Sequence, residues 1–386
     1  MGQRLWRRLD GVSIGLMLVL SVAGLFFIGV ATQDSGRYYV YHQILWIAAG
    51  MVTLLGVAAI PYPRWAQWAP YLYGGAVLLL AFVLVKGHTA YGAQRWINVG
   101  PFQLQPSEFS KFAVLLALAV NLDRRPDLRR WRDWVSPLAL VALPMLLVIK
   151  QPDLGTSLVF LAILIGMLFM AGAPGWRMLL LFGGGFGLVV AWIYAHLTWH
   201  IYIPMHNYQL QRLLIFLHPD QAPLGAGFNE IQSRIAVGAG GLLGLGIGGH
   251  TSQLSFLPAA STDFIFAVVA DQAGFVGAMG ILLLYFLLIA RGMHTAGLAR
   301  DRLGRLLAAG VVSLIAFHVL ESAGMVAGVM PVAGVPLPFI SYGGSAYLTD
   351  AAALGLLLNV RMRAEAQLFA ETAVARTGRA AGSLAE

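Results

Sequence analysis

Apolar residues fall in long runs that short polar connections interrupt. Runs near 11–31, 42–60, 69–85, 108–122, 136–152, 155–173, 177–196, 263–290, 305–329 and 347–360 predict about ten transmembrane helices. Most approach the ~20 residues that a helix needs to cross a hydrocarbon layer about 30 Å thick. The first run follows Arg4, Arg7 and Arg8 and is long enough to stay as an anchor. The fold expected is one all-α polytopic membrane domain over 1–363, with a polar, Ala-rich tail of little structural weight over 364–386. Most connections are short, but 197–262 forms a large loop before the eighth span. A connection of that length inside a compact domain is functional or disordered. Its 229–237 stretch is amphipathic, with Ile231, Ile235 and Val237 able to pack while Gln232 and Arg234 face elsewhere. The glycines from Gly238 to Gly249 fit no phosphate-binding strand–loop–helix pattern and predict a flexible outer cap.

Composition supports the membrane class: 59% of residues are hydrophobic and 11% charged, against roughly a quarter charged in a soluble domain. The absence of cysteine excludes disulfides, a thiol nucleophile and a Cys-based zinc site. A net charge of +8 raises the question of nucleic acid, and the placement of the charges answers it. With a cytoplasmic N-terminus, most basic residues fall on inner connections, among them Arg124, Arg125, Arg129, Arg130 and Arg132. That is the positive-inside pattern. The basic excess is therefore a topology signal, with contact to anionic membrane lipids a lesser role, and nucleic acid is not expected as a partner. The exceptions are Arg37, Lys86, Arg95, Lys111, Lys150, Arg212 and Arg234. Most of them flank two long outward segments, 86–111 and 197–262, which locates the chemistry on the extracytoplasmic side.

Asp263 lies where the polar loop ends and the eighth apolar run begins. A carboxylate there is costly to keep and reads as a base or cation ligand, or else as a helix N-cap shared with Thr262. Upstream, Ser107 suits an N-cap, and Glu108 with Lys111 share a helix face. That pair is either a cap and salt bridge or, with Arg95, a grip on an anionic substrate. In Lys150-Gln-Pro-Asp-Leu-Gly-Thr-Ser157, Asp153 suits a cap for the next helix, and Lys150 either pairs with it or snorkels. The Pro- and Gly-rich stretch 331–345 is too irregular to span as a helix. It is either a re-entrant turn lining an outer cavity or a tight connection between the last two spans. Asp271, Glu321 and Asp350 within spans keep a transport path open as a rival class.

Six colinear segments together resemble the SEDS family (shape, elongation, division and sporulation), in its RodA branch. They are Arg95-Trp-Ile-Asn with Gln105-Pro-Ser-Glu-Phe-Ser-Lys111, Gln151-Pro-Asp-Leu-Gly-Thr-Ser157, Pro223-Leu-Gly-Ala-Gly227, Ile231-Gln-Ser-Arg-Ile-Ala, Thr262-Asp-Phe-Ile-Phe-Ala-Val, and Pro336-Leu-Pro-Phe-Ile-Ser-Tyr-Gly-Gly-Ser345. The resemblance implies a GT-C-like membrane glycosyltransferase that polymerises lipid II into glycan strands. It would act outside the cytoplasmic (inner) membrane, with both termini cytoplasmic and a class B penicillin-binding transpeptidase as partner. It also implies that Asp263 is catalytic and that Glu108, Lys111, Trp96, Gln209 and Asp153 serve activity or substrate engagement, with Arg95, Arg212 and Ser341 as further carry-overs. No organic cofactor is expected. A divalent cation, magnesium or manganese, or basic side chains would relieve charge on the departing pyrophosphate. The chain departs from the pattern at Ser255 and Ala259 where relatives often carry Glu, at Gly244-Leu-Gly without the usual basic residue, at Glu321-Ser322, and at Asp350. A lipid-linked precursor flippase and a non-catalytic scaffold of the cell-wall machinery are the alternatives.

Overall fold

The computed structural model describes residues 8–33, 37–90, 93–100, 102–125, 127–202, 216, 227–246, 257 and 259–382. Helices α1 (Gly11–Ala31), α2 (Tyr38–Ala59) and α3 (Tyr62–Lys86) lead into a small antiparallel sheet, β1 (His88–Ala90), β2 (Ala93–Val99) and β3 (Phe102–Leu104). Helices α4 (Pro106–Asp123), α5 (Trp131–Lys150), α6 (Leu154–Met170) and α7 (Gly175–Trp199) follow. Beyond the long loop come α8 (Phe228–Gly240), α9 (Ile265–Leu298), α10 (Arg302–Val326) and α11 (Gly344–Gly382). Seven of these are long and apolar enough to cross a membrane, and α6 is apolar but shorter, at 17 residues. Helix α4, with Glu108 and Lys111 in its first turns, and α11, with Asp350, fall outside that group.

Helix α10 is the hub, packed against α4, α6, α9 and α11, with 67% of its apolar window buried. Helix α7 is its opposite, with 6% buried. A helix apolar all round must meet either protein or lipid, and α7 presents Leu179, Phe186, Leu188 and Trp199 outward. Helix α11 lies along α2 and continues to Gly382, so the tail expected to carry little structure extends the last helix.

Two features depart from the sequence reading. The apolar run after Asp263 is one helix only by composition, because α9 breaks at Gly274, whose φ is +64°. Segment 241–246 lies in the break: Leu245 and Gly246 donate to the carbonyls of Asp271 and Gln272, while Phe275 and Val276 donate to those of Gly241 and Leu242. A buried helix interruption must have its backbone groups satisfied, and this segment does so. The first part of the expected flexible cap is therefore a fixed plug, held by four backbone bonds. The other departure is the sheet, where Ile97 pairs Leu104 and His88 pairs Trp96. It gives the α3–α4 connection an ordered form that the pattern of single polar residues did not disclose.

Segment 331–345 is irregular and buried: Val335, Leu337, Phe339 and Ile340 are at most 2% exposed. This agrees with the requirement that non-helical backbone at a membrane be enclosed by protein. Helix α1 comes close enough that a Cβ on Gly24 would stand 2.7 Å from the Ile340 carbonyl oxygen.

Candidate active site

Four stretches meet here, segment 331–345 among them. The first is the turn 259–264, where the amides of Thr262, Asp263 and Phe264 all point to the Ala259 carbonyl. Helix α9 begins only at Ile265, with Phe264 at its cap position and no side-chain cap. Asp263 thus stands one residue before the cap position that the sequence assigned to it. Its half-buried carboxylate instead lies against Gly334, where a Cβ would stand 2.9 Å from Oδ2. Gly334 has φ of +72°, a left-handed conformation that glycine adopts without steric cost.

Ser341 ties this turn to the segment. Its hydroxyl donates to the Thr262 carbonyl at 2.6 Å and accepts from the Leu337 amide at 2.8 Å. The Tyr342 amide donates to the Ser261 carbonyl at 2.8 Å. Ser341 is 5% exposed, so its role is to hold the turn that presents Asp263.

The third stretch is the α5–α6 turn. Asp153 caps α6 as expected, accepting from the Thr156 amide at 3.1 Å and the Thr156 hydroxyl at 3.0 Å. It also accepts from the Gln105 amide group at 3.3 Å. A Cβ on Gly155 would stand 2.6 Å from the Ala333 carbonyl oxygen, so this helix start abuts the strip carrying Gly334. The fourth stretch is β2. Arg95 donates from Nε to the Gln151 carbonyl at 2.9 Å and from Nη2 to the Pro152 carbonyl, with Asp153 Oδ1 3.9 Å from Nη1. Lys150 is exposed, and Arg95 is the cation that faces Asp153. Trp96 sits beside Arg95 on β2, half-buried. The Gln105 amide donates to Ser345 Oγ at 3.1 Å, closing the ring of contacts.

Glu108 and Lys111 stand apart from this arrangement. Helix α4 starts at Pro106 with Gln105 as its cap residue, so Ser107 is not the cap; its hydroxyl accepts from the Gln105 side chain. Lys111 Nζ lies 2.7 Å from Glu108 Oε2 and 3.0 Å from His318 Nε2, with the Lys and Glu side chains at most 3% exposed. Lys111 can only donate, so His318 accepts through Nε2 and carries its proton on Nδ1. Asp350 is within Coulombic reach of both Lys111 and Glu108. The salt bridge that the spacing of Glu108 and Lys111 suggested is therefore present, enclosed inside the bundle. His318 was not singled out from the sequence, since a lone histidine in an apolar run carries no pairing signal. Gln209, Arg212 and Ser255 lie outside the described residues, as does 223–226.

On helix α8, Glu230 is 1% exposed and pairs with Arg234. Burial pushes the Glu230 carboxyl above its ordinary range, and Arg234 opposes that rise. The packed face is not the one expected from Ile231, Ile235 and Val237: Glu230, Ser233 and Ala236 are buried against α9, whereas Ile235 is exposed.

Comparison with known proteins places this geometry. The FtsW/RodA/SpoVE family model, described as cell cycle protein, matches residues 4–366. The peptidoglycan glycosyltransferase MrdB of Escherichia coli K12 is 40% identical over 354 residues, 91% of this chain and 93% of its own. Stage V sporulation protein E of Bacillus subtilis 168 is 35% identical over 357 residues, 90% of this chain and 93% of its own. Among solved structures, a chain of a peptidoglycan synthase complex superposes with TM-score 0.79 at 34% identity, covering 92% of this chain and 98% of that one. The rod shape determining protein RodA of Thermus thermophilus gives 0.67 at 31% identity, covering 92% and 96%. The chain belongs to the FtsW/RodA/SpoVE family, the SEDS proteins, and resembles its RodA members.

Proposed function

We propose that this chain is a RodA-like peptidoglycan glycosyltransferase that polymerises lipid II during cell elongation, with Asp263 as its general base. The observation that carries the reading is the presentation of Asp263. It is a half-buried carboxylate on a turn that segment 331–345 holds in place, just ahead of the first turn of α9. The relatives named as glycosyltransferases and the synthase-complex neighbour support the activity.

In this mechanism Asp263 takes the proton of the acceptor N-acetylglucosamine 4-hydroxyl. The oxygen attacks the donor N-acetylmuramic acid anomeric carbon, and the bond to the pyrophosphate breaks as the new bond forms. One displacement inverts α to β, and polyprenyl pyrophosphate leaves with the electron pair. Positioned proton removal contributes about 10²–10⁴-fold to a rate. Of the basic residues expected to hold the leaving pyrophosphate, Arg95 keeps a partly exposed side chain, at 23%, whereas Lys111 is enclosed at 1%. Among the described residues no three His, Asp or Glu converge to hold a metal. A divalent cation bound with the substrate would relieve charge on the departing pyrophosphate. Polymerisation that survives EDTA would exclude that ion.

The site faces the extracytoplasmic side of the inner membrane, with both termini cytoplasmic, and a class B penicillin-binding transpeptidase is the partner. The test supplies the purified protein and that partner with lipid II. Polymer from the wild type and none from Asp263→Ala at equal membrane levels is the expected result. Lipid movement without polymer would make it a flippase, neither would make it a scaffold, and unchanged polymer from the variant would end the base assignment.

A further inference from the structure

At the same end of the molecule as Asp263, the first turns of α2 carry Arg37, Tyr38, Tyr39 and His42 next to Tyr342 of segment 331–345. The rings of Tyr39 and Tyr342 meet edge to face at 5.0 Å, and those of Tyr38 and Tyr39 at 5.6 Å. His42 lies against Tyr38 with ring centroids 3.9 Å apart, and its Nδ1 is 2.9 Å from the Tyr38 carbonyl. One face of Tyr38 is thereby propped, while the residue remains 56% exposed.

The row of rings is fixed to the Asp263 turn from two sides. Gln43, 1% exposed, donates to the Ser341 carbonyl at 3.3 Å and accepts from the Gly343 amide at 3.4 Å, holding the backbone on both sides of Tyr342. The Tyr342 amide itself bonds to Ser261, two residues before Asp263. Tyrosines at a membrane surface are ordinarily a belt facing headgroups. A belt explains one exposed ring. It does not explain three rings packed on one another, running from solvent to a half-buried tyrosine bonded to the Asp263 turn.

We propose that Tyr38, Tyr39 and Tyr342 form a shelf on which pyranose rings of the growing glycan strand stack, beside the bond that Asp263 helps to make. The proposal rests on the glycosyltransferase reading and names a subsite within it. Aromatic faces are electron-rich, and the C–H face of a pyranose is their complement. Phenol hydroxyls at the ring edges suit sugar hydroxyls. Burial, with Tyr38 and Tyr39 beside it, holds the Tyr342 phenol above its ordinary range, so it stays a hydrogen-bond donor at neutral pH. Exposed Arg37, next to Tyr38, suits the carboxylates carried on the muramyl unit.

The full chain is titrated with a lipid-free strand of alternating N-acetylglucosamine and N-acetylmuramic acid, and polymer length is measured separately from lipid II. Tyr38→Ala with Tyr39→Ala should weaken strand binding about tenfold, on the scale of lost ring contacts, and shorten the polymer. His42→Ala should do the same more weakly, and Tyr38→Ala alone guards against misfolding because that side chain is exposed. Asp263→Ala should bind the strand as the wild type does. Tyr202→Ala, another exposed aromatic at the end of α7, should change nothing. Wild-type strand affinity in the double variant, or equal loss in Tyr202→Ala, overturns the shelf while leaving the enzyme standing. A wild-type protein that binds strands as predicted yet makes no polymer overturns the glycosyltransferase reading instead.

Discussion

Two carboxylates lie in segments that carry the family resemblance, and the fold treats them in opposite ways. Glu108 is enclosed in the bundle with a lysine at 2.7 Å, and that lysine also meets His318. Asp263 is half-buried on a turn, against a glycine whose backbone few other residues could adopt. The first charge is neutralised where it stands. The second is half-buried beside the Gly334 backbone, on a turn that Ser341 and Tyr342 tie to segment 331–345. A buried pair of the first kind fixes where helices lie, whereas an acid of the second kind is placed to act. The contrast turns a shared family motif into two distinct expectations, one for stability and one for rate.

The sharpest way to break the contrast is Asp263→Asn, which keeps the shape and removes the proton acceptor. Polymerisation from lipid II should fall by about 10²–10⁴-fold, while the thermal midpoint stays at the wild-type value. Were the midpoint to fall with the activity, Asp263 would be a structural acid after all. Lys111→Met should do the reverse. Removing one member of a buried pair leaves an uncompensated charge, which costs about 3–5 kcal/mol. Thermal melting in detergent reads that loss, and adding Glu108→Gln should restore part of it. If the single variant melts like the wild type while polymerisation fails, Lys111 belongs to the substrate site and not to the frame.

Gly334→Ala tests how tightly the turn is specified. The new methyl would need a backbone conformation costing about 1–3 kcal/mol and would press on Asp263 Oδ2 at 2.9 Å. A misplacement of about 1 Å at a reacting group can cost about 10²-fold. The expected result is a rate reduced by about 10–100-fold with strand binding unchanged. Equal loss of rate in Gly100→Ala, another glycine at positive φ but with open space around its missing Cβ, would show that generic strain and not contact with Asp263 is responsible.

What the sequence disclosed follows from the range over which each signal acts. Apolar runs are long, and α1, α6 and α10 begin and end within a few residues of them. The Asp153 cap is a local signal and holds. Signals that depend on a distant partner do not appear in one chain read in order. The break at Gly274 interrupts a run that is apolar on both sides, and only segment 241–246 explains it. Ser107 looked like a cap because the first turn of α4 was read two residues too late. Gln43 and His318 act across about 300 and 200 positions respectively, on the scale of the separations 298 and 207, and nothing around either residue announces it. The site was legible as a set of segments, but the division between frame and reacting group was not.

Asp153 gives the smallest and most discriminating test, because it belongs to both sides of that division. Its carboxylate caps α6 through the Thr156 amide, a role that asparagine fills about as well. Its charge faces Arg95 at 3.9 Å, a role that asparagine cannot fill. Asp153→Ala should lose the cap, at about 1 kcal/mol, and melt slightly lower than the wild type. Asp153→Asn should melt with the wild type. Polymerisation by the Asn variant then decides the matter. Activity equal to the wild type makes Asp153 part of the frame with Glu108. A fall of severalfold with an unchanged melt means that the charge sets the posture of Arg95, and that the two regions meet at this residue.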